Sequence, residues 1–332
     1  MKKIFCIGLI TLFCKQLVLG QVNISPLYLY DRVDPFKPEI IAKFKSSTMA
    51  FFYRKNEEGK LDEFKKAFSQ MWNLTKVEFV SIDKLGEYEK KPNYSYFAPT
   101  VFTVSQGSID YVYGLWLYDG GKRYKIADIP LKLTKESHDE INSKRGDRTK
   151  EHTQTELMPL YASANFVNLL PGYFKMYVAQ LNMYLKKGEP KKLYKEVEPN
   201  ETEIKNLKEK TLYVPKAVFG LTDYGSYYAE SYGLVVSDER VNKELPKLFK
   251  KYPAGKIKPV SEQELSDLIL NATEDIYFLQ INLRYSTTLQ SYIGVINAKT
   301  GEPIYTDMRN MLKLKPSHFE GLIKKINGDF SK

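Results

Sequence analysis

Residues 48–53 (TMAFFY), 61–72 (LDEFKKAFSQMW) and 76–80 (KVEFV) decide the fold class. The first and last are short runs rich in β-branched and aromatic residues, which suit strands. Between them, Leu61, Phe64, Phe68, Met71 and Trp72 fall at the spacing of one helical face. Working outward, Ser81 can cap a short helix through Leu85 and Tyr88, because its hydroxyl satisfies a first-turn N–H that has no partner in the helix. Tyr96–Val104 and Tyr111–Tyr118 are two further strand runs. The order is β-α-β-α-β-β, an α/β (α+β) pattern.

The C-terminal part repeats it. Residues 211–214 (TLYV) open with strand, and Ala217–Phe219 extends that expectation. Val241, Leu245, Leu248, Phe249 and Tyr252 line one helical face, and Pro246 leaves the start of that helix open because proline is easy only in a first turn. Lys256–Val260 is a strand, and Ser261-Glu262-Gln263-Glu264 is a capping box for a helix through Leu265, Leu268 and Leu270. Ile276–Leu283, Ser291–Asn297 and Pro303–Tyr305 are strands, followed by a last helix near Pro316-Ser317 with Glu320 as box partner. Setting Trp72 on Tyr252 carries the comparison without a gap to Gly121 on Gly301. Lys76, Val80, Ser81, Leu85, Gly114 and Gly121 meet identical residues. Two readings fit this: an internal duplication, or two units of one common architecture.

Between the halves, Lys132–His152 is polar with both charges mixed and reads as a long exposed loop. It contains Arg145-Gly146-Asp147, a tripeptide common by chance that some animal cell-surface receptors bind. Glu156–Lys187 predicts a helix broken at Pro171-Gly172, with Phe174, Tyr177, Val178, Leu181, Tyr184 and Leu185 on one stripe. Asn200 and Glu203 then cap a short helix. The chain therefore divides into a leader (1–20), a first α/β unit (21–131), a charged loop (132–155), a helical connector (156–209) and a second α/β unit (210–332).

The leader rests on Lys2 and Lys3, the apolar run Ile4–Phe13, and Val18-Leu19-Gly20, which predict a signal peptide cut after Gly20. The apolar run is far short of the roughly 20 residues that span a bilayer, so no transmembrane segment is expected in the mature chain. Both cysteines, Cys6 and Cys14, lie in the leader. Thiol nucleophiles, CxxC redox pairs and cysteine metal sites are thereby excluded from the mature chain. Cys14 as a lipidated cysteine is the less favoured alternative, because Phe13 is bulky where a small residue is needed. The formal charge of +10 falls to +7 when Lys2, Lys3 and Lys15 leave. Lysines interleaved with acids predict a solvated surface, with no nucleic-acid partner.

Chemistry has few starting points. His138, His152 and His318 have no second ligand at zinc spacing, so no metal and no cofactor is expected. GxSxG, a Walker loop and GxGxxG are absent from the sequence. The candidate site is Gly220–Gly233 (GLTDYGSYYAESYG), where Asp223, Tyr224, Tyr227, Tyr228, Glu230 and Tyr232 stand between three glycines. Tyrosines offer a stacking face and a hydroxyl, and glycines permit unusual backbone angles. Such a loop can grip a sugar ring or a peptide; the alternative is an edge hairpin whose tyrosines cover the sheet. Asn-x-Ser/Thr triplets at Asn23, Asn73, Asn93, Asn200 and Asn271 matter only on a eukaryotic secretory route.

Lys210–Tyr213 (KTLY), Lys256–Leu265 (KIKPVSEQEL) and Gly294–Tyr305 (GVINAKTGEPIY) resemble uncharacterised exported proteins of Bacteroidota-type bacteria. That resemblance implies an envelope location and brings no catalytic residues. The element order is also similar to the α/β domains at the start of TolB and in CsgG, and to a thioredoxin-like topology lacking its cysteines. The reading is an exported, periplasmic, non-catalytic binding or scaffold protein with another envelope protein as partner. The alternatives are glycan binding by the tyrosine loop, or a hydrolase whose acids cannot be paired from sequence.

Overall fold

The computed structural model describes residues 22–24, 28–29, 32–104, 108–145, 159, 161–188, 190–192, 198–222, 236–252, 256–285, 289–310 and 313–330. Three short strands, β1 (Asn23–Ile24), β2 (Tyr28–Leu29) and β3 (Arg32–Val33), precede helix α1 (Pro38–Ser46). The first unit then runs β4 (Thr48–Tyr53), α2 (Lys55–Glu58), α3 (Leu61–Met71), β5 (Lys76–Ser81), α4 (Leu85–Tyr88), β6 (Tyr94–Val104), β7 (Ser108–Asp119) and β8 (Lys122–Pro130). Helices α5 (Lys135–Arg145) and α6 (Pro171–Lys187), strand β9 (Lys191–Lys192) and helix α7 (Glu201–Asn206) lead to the second unit. That unit runs β10 (Leu212–Pro215), α8 (Asp238–Leu248), β11 (Ile257–Val260), α9 (Glu262–Asn271), β12 (Tyr277–Tyr285), β13 (Leu289–Asn297), β14 (Pro303–Asn310) and α10 (Glu320–Ile326).

The α/β class is observed, in two mixed sheets of one topology. Their orders are β5-β4-β6-β7-β8-β1-β9 and β11-β10-β12-β13-β14. In each, the first three strands are parallel and the rest antiparallel. Ser81 and Ser261 both cap as expected, accepting from Asp83 and Glu264 N–H. Gly121 and Gly301 close corresponding hairpins at φ 78° and 72°, angles that a side chain strains.

One core joins the units. Phe51 of β4 is ringed by Phe64 and Phe68 of α3, Phe97, Tyr113 and Phe174 of α6. The same cluster continues through Leu265 and Ile269 of α9 to Phe278 and Ile296 of the second sheet. Helix α6 thus lies between the sheets, packed along α3 on one side and α9 on the other. The second sheet's other face buries Val214, Leu279, Ile293 and Val295 with Val241 of α8 and Leu322 of α10.

Several expectations are corrected. Residues 135–145 of the expected exposed loop form α5, supported by Lys135–Asp139 (2.8 Å) and Lys144–Glu140 (2.5 Å) pairs one turn apart, with Ile141 buried. The stretch 163–170 is not helical, and Phe166 bridges Leu133 instead. Pro171 starts α6 rather than breaking it, since the first helical position needs no N–H partner. Residues 216–222 are a 3₁₀ turn where Ala217–Phe219 reads as strand. The hairpin of the first unit gains a third strand, β8, and Pro246 is accommodated inside α8. At the last helix it is His318 Nδ1, not Glu320, that accepts from the Lys315 N–H (3.1 Å). The leader, Gly146-Asp147 and His152 lie outside the described residues.

Two positions on α6 report on this packing. A Cβ on Gly172 would lie 1.9 Å from the Ser266 carbonyl oxygen, while the Gly172 N–H donates to Ser266 Oγ at 3.0 Å. Helix propensity alone makes glycine to alanine favourable by about 1 kcal/mol. We expect Gly172→Ala instead to destabilise by about 1–3 kcal/mol, because α6 and α9 must separate. Calorimetry decides, and an unchanged or raised melting temperature refutes the close packing.

Lys175 is buried and donates to the Ile269 carbonyl at 2.8 Å, at the carboxyl end of α9. Burial, with a smaller contribution from Lys66, lowers its pKa to about 8 from an ordinary 10.5. Between those values the unfolded chain binds more protons than the folded one, so stability rises with pH there. Unfolding across about pH 8–10.5 should show this rise in the wild type but not in Lys175→Met. Parallel profiles for the two proteins contradict the assignment.

Candidate functional site

In an open α/β sheet, ligands lie beyond the carboxyl ends of the strands where the strand order reverses. Here that point falls between β4 and β6 in the first unit and between β10 and β12 in the second. A pocket occupies each position. Ile82, Pro99, Thr100 and Val101 line the first; the residues 180 places on, Glu262, Leu279, Gln280 and Ile281, line the second. The two pockets are equivalent sites in equivalent units.

Their contents differ. In the first unit, Arg54 directly follows β4 and is 2% exposed. Its Nε donates to Glu57 Oε2 at 2.9 Å, and a second guanidinium nitrogen pairs with Glu57 Oε1. Nη1 donates to the Tyr161 and Ala164 carbonyls at 2.9 and 2.7 Å, and the guanidinium stacks 4.7 Å from the Phe166 ring centroid. Tyr161 lies 4.2 Å from Tyr111, ring to ring, and their hydroxyls are hydrogen-bonded. The connector's Tyr161 and Phe166, packed on Tyr111 and on the paired Arg54, thus fill the crevice. About 20 Å³ remains, room for roughly one water.

The second pocket retains about 90 Å³. That is space for roughly three waters or one side-chain-sized group. Pro215, Ala217 and Val218 form one wall, Phe278–Ile281 another, and Tyr173, Tyr177 and Asn168 the connector side. Glu262 is half-buried at the first position of α9, where the helix dipole favours a carboxylate. The Tyr173 hydroxyl donates to its Oε2. Burial raises the Glu262 carboxyl above its ordinary value, and the Tyr173 hydrogen bond and Lys132 oppose that rise. Burial first, then the charge of Glu262, push the Tyr173 phenol well up. Asn168 is fixed in place: its Oδ1 accepts from the Lys132 N–H (2.8 Å) and its Nδ2 donates to the Pro130 carbonyl (2.8 Å). The arrangement is an apolar slot with a carboxylate, a phenol and amides at fixed positions. Among its described lining residues Glu262 is the single carboxylate.

Asp223, Tyr224, Tyr227, Tyr228, Glu230 and Tyr232 lie outside the described residues. Their flank is described. Residues 216–222 line the pocket at Ala217 and Val218, and Arg240 holds this turn through the Phe219 carbonyl (3.1 Å) and Thr222 Oγ1 (3.2 Å). In the sequence the tyrosine stretch follows this turn directly. Glu262 and Gln280 do not stand out in the sequence as site residues. Their signal is the change from Ile82 to Glu262 and from Thr100 to Gln280 in an otherwise matching repeat. Among the described residues no three His, Cys, Asp or Glu side chains group as a metal site, and no helix is long and apolar enough to cross a membrane. The chain matches no protein-family model, no curated protein and no solved structure.

The plugged pocket has a measurable signature. Arg54→Met leaves Glu57 buried without its counter-charge, and breaking such a pair costs about 3–5 kcal/mol. Glu262→Gln keeps an acceptor for Tyr173 and removes a partly desolvated charge, so it should leave the fold intact. Urea unfolding of the two variants compares them directly; an Arg54→Met protein as stable as wild type contradicts the structural role of the pair.

Proposed function

We propose that this chain is an exported, non-catalytic binding protein of the bacterial cell envelope, with another envelope protein as its partner. One observation supports binding at a definite place: equivalent pockets are filled in the first unit and open in the second. Apolar walls with a few fixed polar groups are the usual make-up of a recognition site. Size favours a protein partner. Small-molecule pockets enclose roughly 300–1,000 Å³, whereas about 90 Å³ suits one inserted side chain, the anchor of a protein interface. Export and the periplasmic location rest on the three-part leader and on the resemblance to exported Bacteroidota-type proteins.

A second reading, carbohydrate recognition by Asp223, Tyr224, Tyr227, Tyr228, Glu230 and Tyr232, draws support from the position of the 216–222 turn at the pocket wall. Under it, replacing these tyrosines abolishes glycan binding without changing the melting temperature.

The test is in-cell crosslinking of the tagged protein, identifying what is attached, with Glu262→Leu, Gln280→Leu and a chain lacking 223–233 in parallel. The expected result is one envelope protein, recovered reproducibly and lost with the pocket variants. Full recovery with both pocket variants overturns the site. Recovery of cytoplasmic proteins alone overturns the envelope assignment.

A further inference from the structure

The two units also differ at the strand that ends their shared topology. In the first, the edge of β8 is covered by β1, which pairs antiparallel through Asn23↔Asp128 and Ile24↔Ala127 and is itself followed by β9. The cover is fastened by Asn23 Nδ2, which donates to Asp128 Oδ1 at 2.7 Å. By register on the preceding strand, Asp128 and Ala127, opposite Gly114 and Leu115, correspond to Thr306 and Tyr305 of β14, opposite Gly294 and Val295. Strand β14 is the last of its sheet.

The direction of its free groups follows from one bond. The Ile304 carbonyl accepts from the Asn200 N–H at 2.9 Å, so the main-chain groups of Ile304 face away from β13. Alternation along an antiparallel strand turns those of Thr306, Met308 and Asn310 the same way. Among the described residues no strand pairs with them. Met308 is also, among the described residues, the large apolar side chain that stands exposed, at 48%. A row of open main-chain groups beside an exposed apolar residue is a template for strand addition.

We propose that the edge of β14 pairs antiparallel with β14 of a second copy of this chain, centred on Met308. Three features of the strand fit that occupant. Pairing about Met308 sets Met308 opposite its own copy, so the exposed side chain is buried against itself. It also sets Asp307 of each copy opposite Arg309 of the other, twice by symmetry. Within one chain these two already attract, with Arg309 Nη2 2.6 Å from Asp307 Oδ2, and across the pair they alternate in sign. Finally, an outward-facing residue at the centre is compatible with a two-fold antiparallel pair, in which the two copies exchange both main-chain bonds at that residue. The segment around Asn200 covers the Ile304 end and confines the pairing to the Thr306–Asn310 end.

Sedimentation equilibrium of the purified protein over a wide concentration range tests this. The wild type is expected to show a concentration-dependent monomer–dimer equilibrium. Met308→Lys and Asp307→Arg should each weaken the dimer by at least about tenfold, through like charges set opposite one another. The double variant D307R/R309D restores complementary charges and should recover dimerisation. A second measurement does not depend on charge. With Cys6 and Cys14 removed with the leader or replaced by serine, Met308→Cys supplies a single thiol per chain. A short bifunctional thiol crosslinker should join that protein into dimers, but not a Glu239→Cys control on exposed α8. Circular dichroism melting confirms that each variant is folded. A wild type that stays monomeric throughout, or a dimer that Met308→Lys leaves unchanged, overturns the proposal.

Discussion

Helix α6 is buried on every side over most of its length, and the rest of the molecule is arranged around that constraint. A helix without a solvent face must either be apolar throughout or have its polar groups met inside the protein. Here Tyr173, Lys175 and Gln180 find Glu262, the carboxyl end of α9 and the Gly301 carbonyl (3.0 Å), all in the second unit. Toward the first unit, α6 presents Phe174 to the rings of Phe51, Phe64, Phe68 and Phe97. The helix therefore reads the two units differently. In its buried stretch apolar packing holds it to one and directional hydrogen bonds fix its register on the other, while at its carboxyl end Asn182 Oδ1 and the Lys186 carbonyl accept from the Asn73 N–H and Lys45 Nζ of the first unit. Close approach sharpens the second contact: a Cβ on Gly301 would lie 2.6 Å from the Ala179 Cβ.

This asymmetry matters because the units share a topology. Equivalent positions carry unlike solutions. The crevice between β4 and β6 is filled by connector residues Tyr161 and Phe166, with Arg54 held against them, whereas the crevice between β10 and β12 stays open. The edge of β8 is covered by β1, whereas β14 ends its sheet. In both comparisons the first unit closes what the second leaves accessible. The covering elements come from the segments that flank the first unit, β1 before it and the connector after it.

The element order was largely legible in the sequence because it depends on local periodicity. The faces of α3 and α9, the Ser81 and Ser261 caps and the turn glycines could be placed from their spacing. What was not legible depended on partners distant in the chain. Pro171 reads as a helix breaker until its neighbours show that it occupies the first helical position. The polar stretch 135–145 carries little apolar signal, yet its one-turn charge pairs and the burial of Ile141 make it helical. Strand β8 carries no local signal, because its first residues, Lys122 and Arg123, look like a charged loop, and their strand character comes from pairing with Asp119 and Tyr118. The candidate site was legible only as a tyrosine-rich stretch. The pocket beside it is assembled from Asn168, Tyr173, Val218, Glu262 and Gln280, which no window of sequence contains together.

A filled first unit and an open second unit suit one rigid binder. Residues around a recognition site hold their geometry when packing locks their own side chains. Tyr173 and Tyr177, which line the open pocket, sit on the helix whose opposite face is embedded in the phenylalanine core of the first unit. Glu262 sits on α9, whose Ser266 is in direct contact with Gly172 of the same helix. A displacement of the first unit would thus move the pocket wall through α6, with no loop between them to absorb it. The closed unit acts as the frame for the open one, and the buried ion pair of Arg54 and Glu57 helps to keep that frame shut.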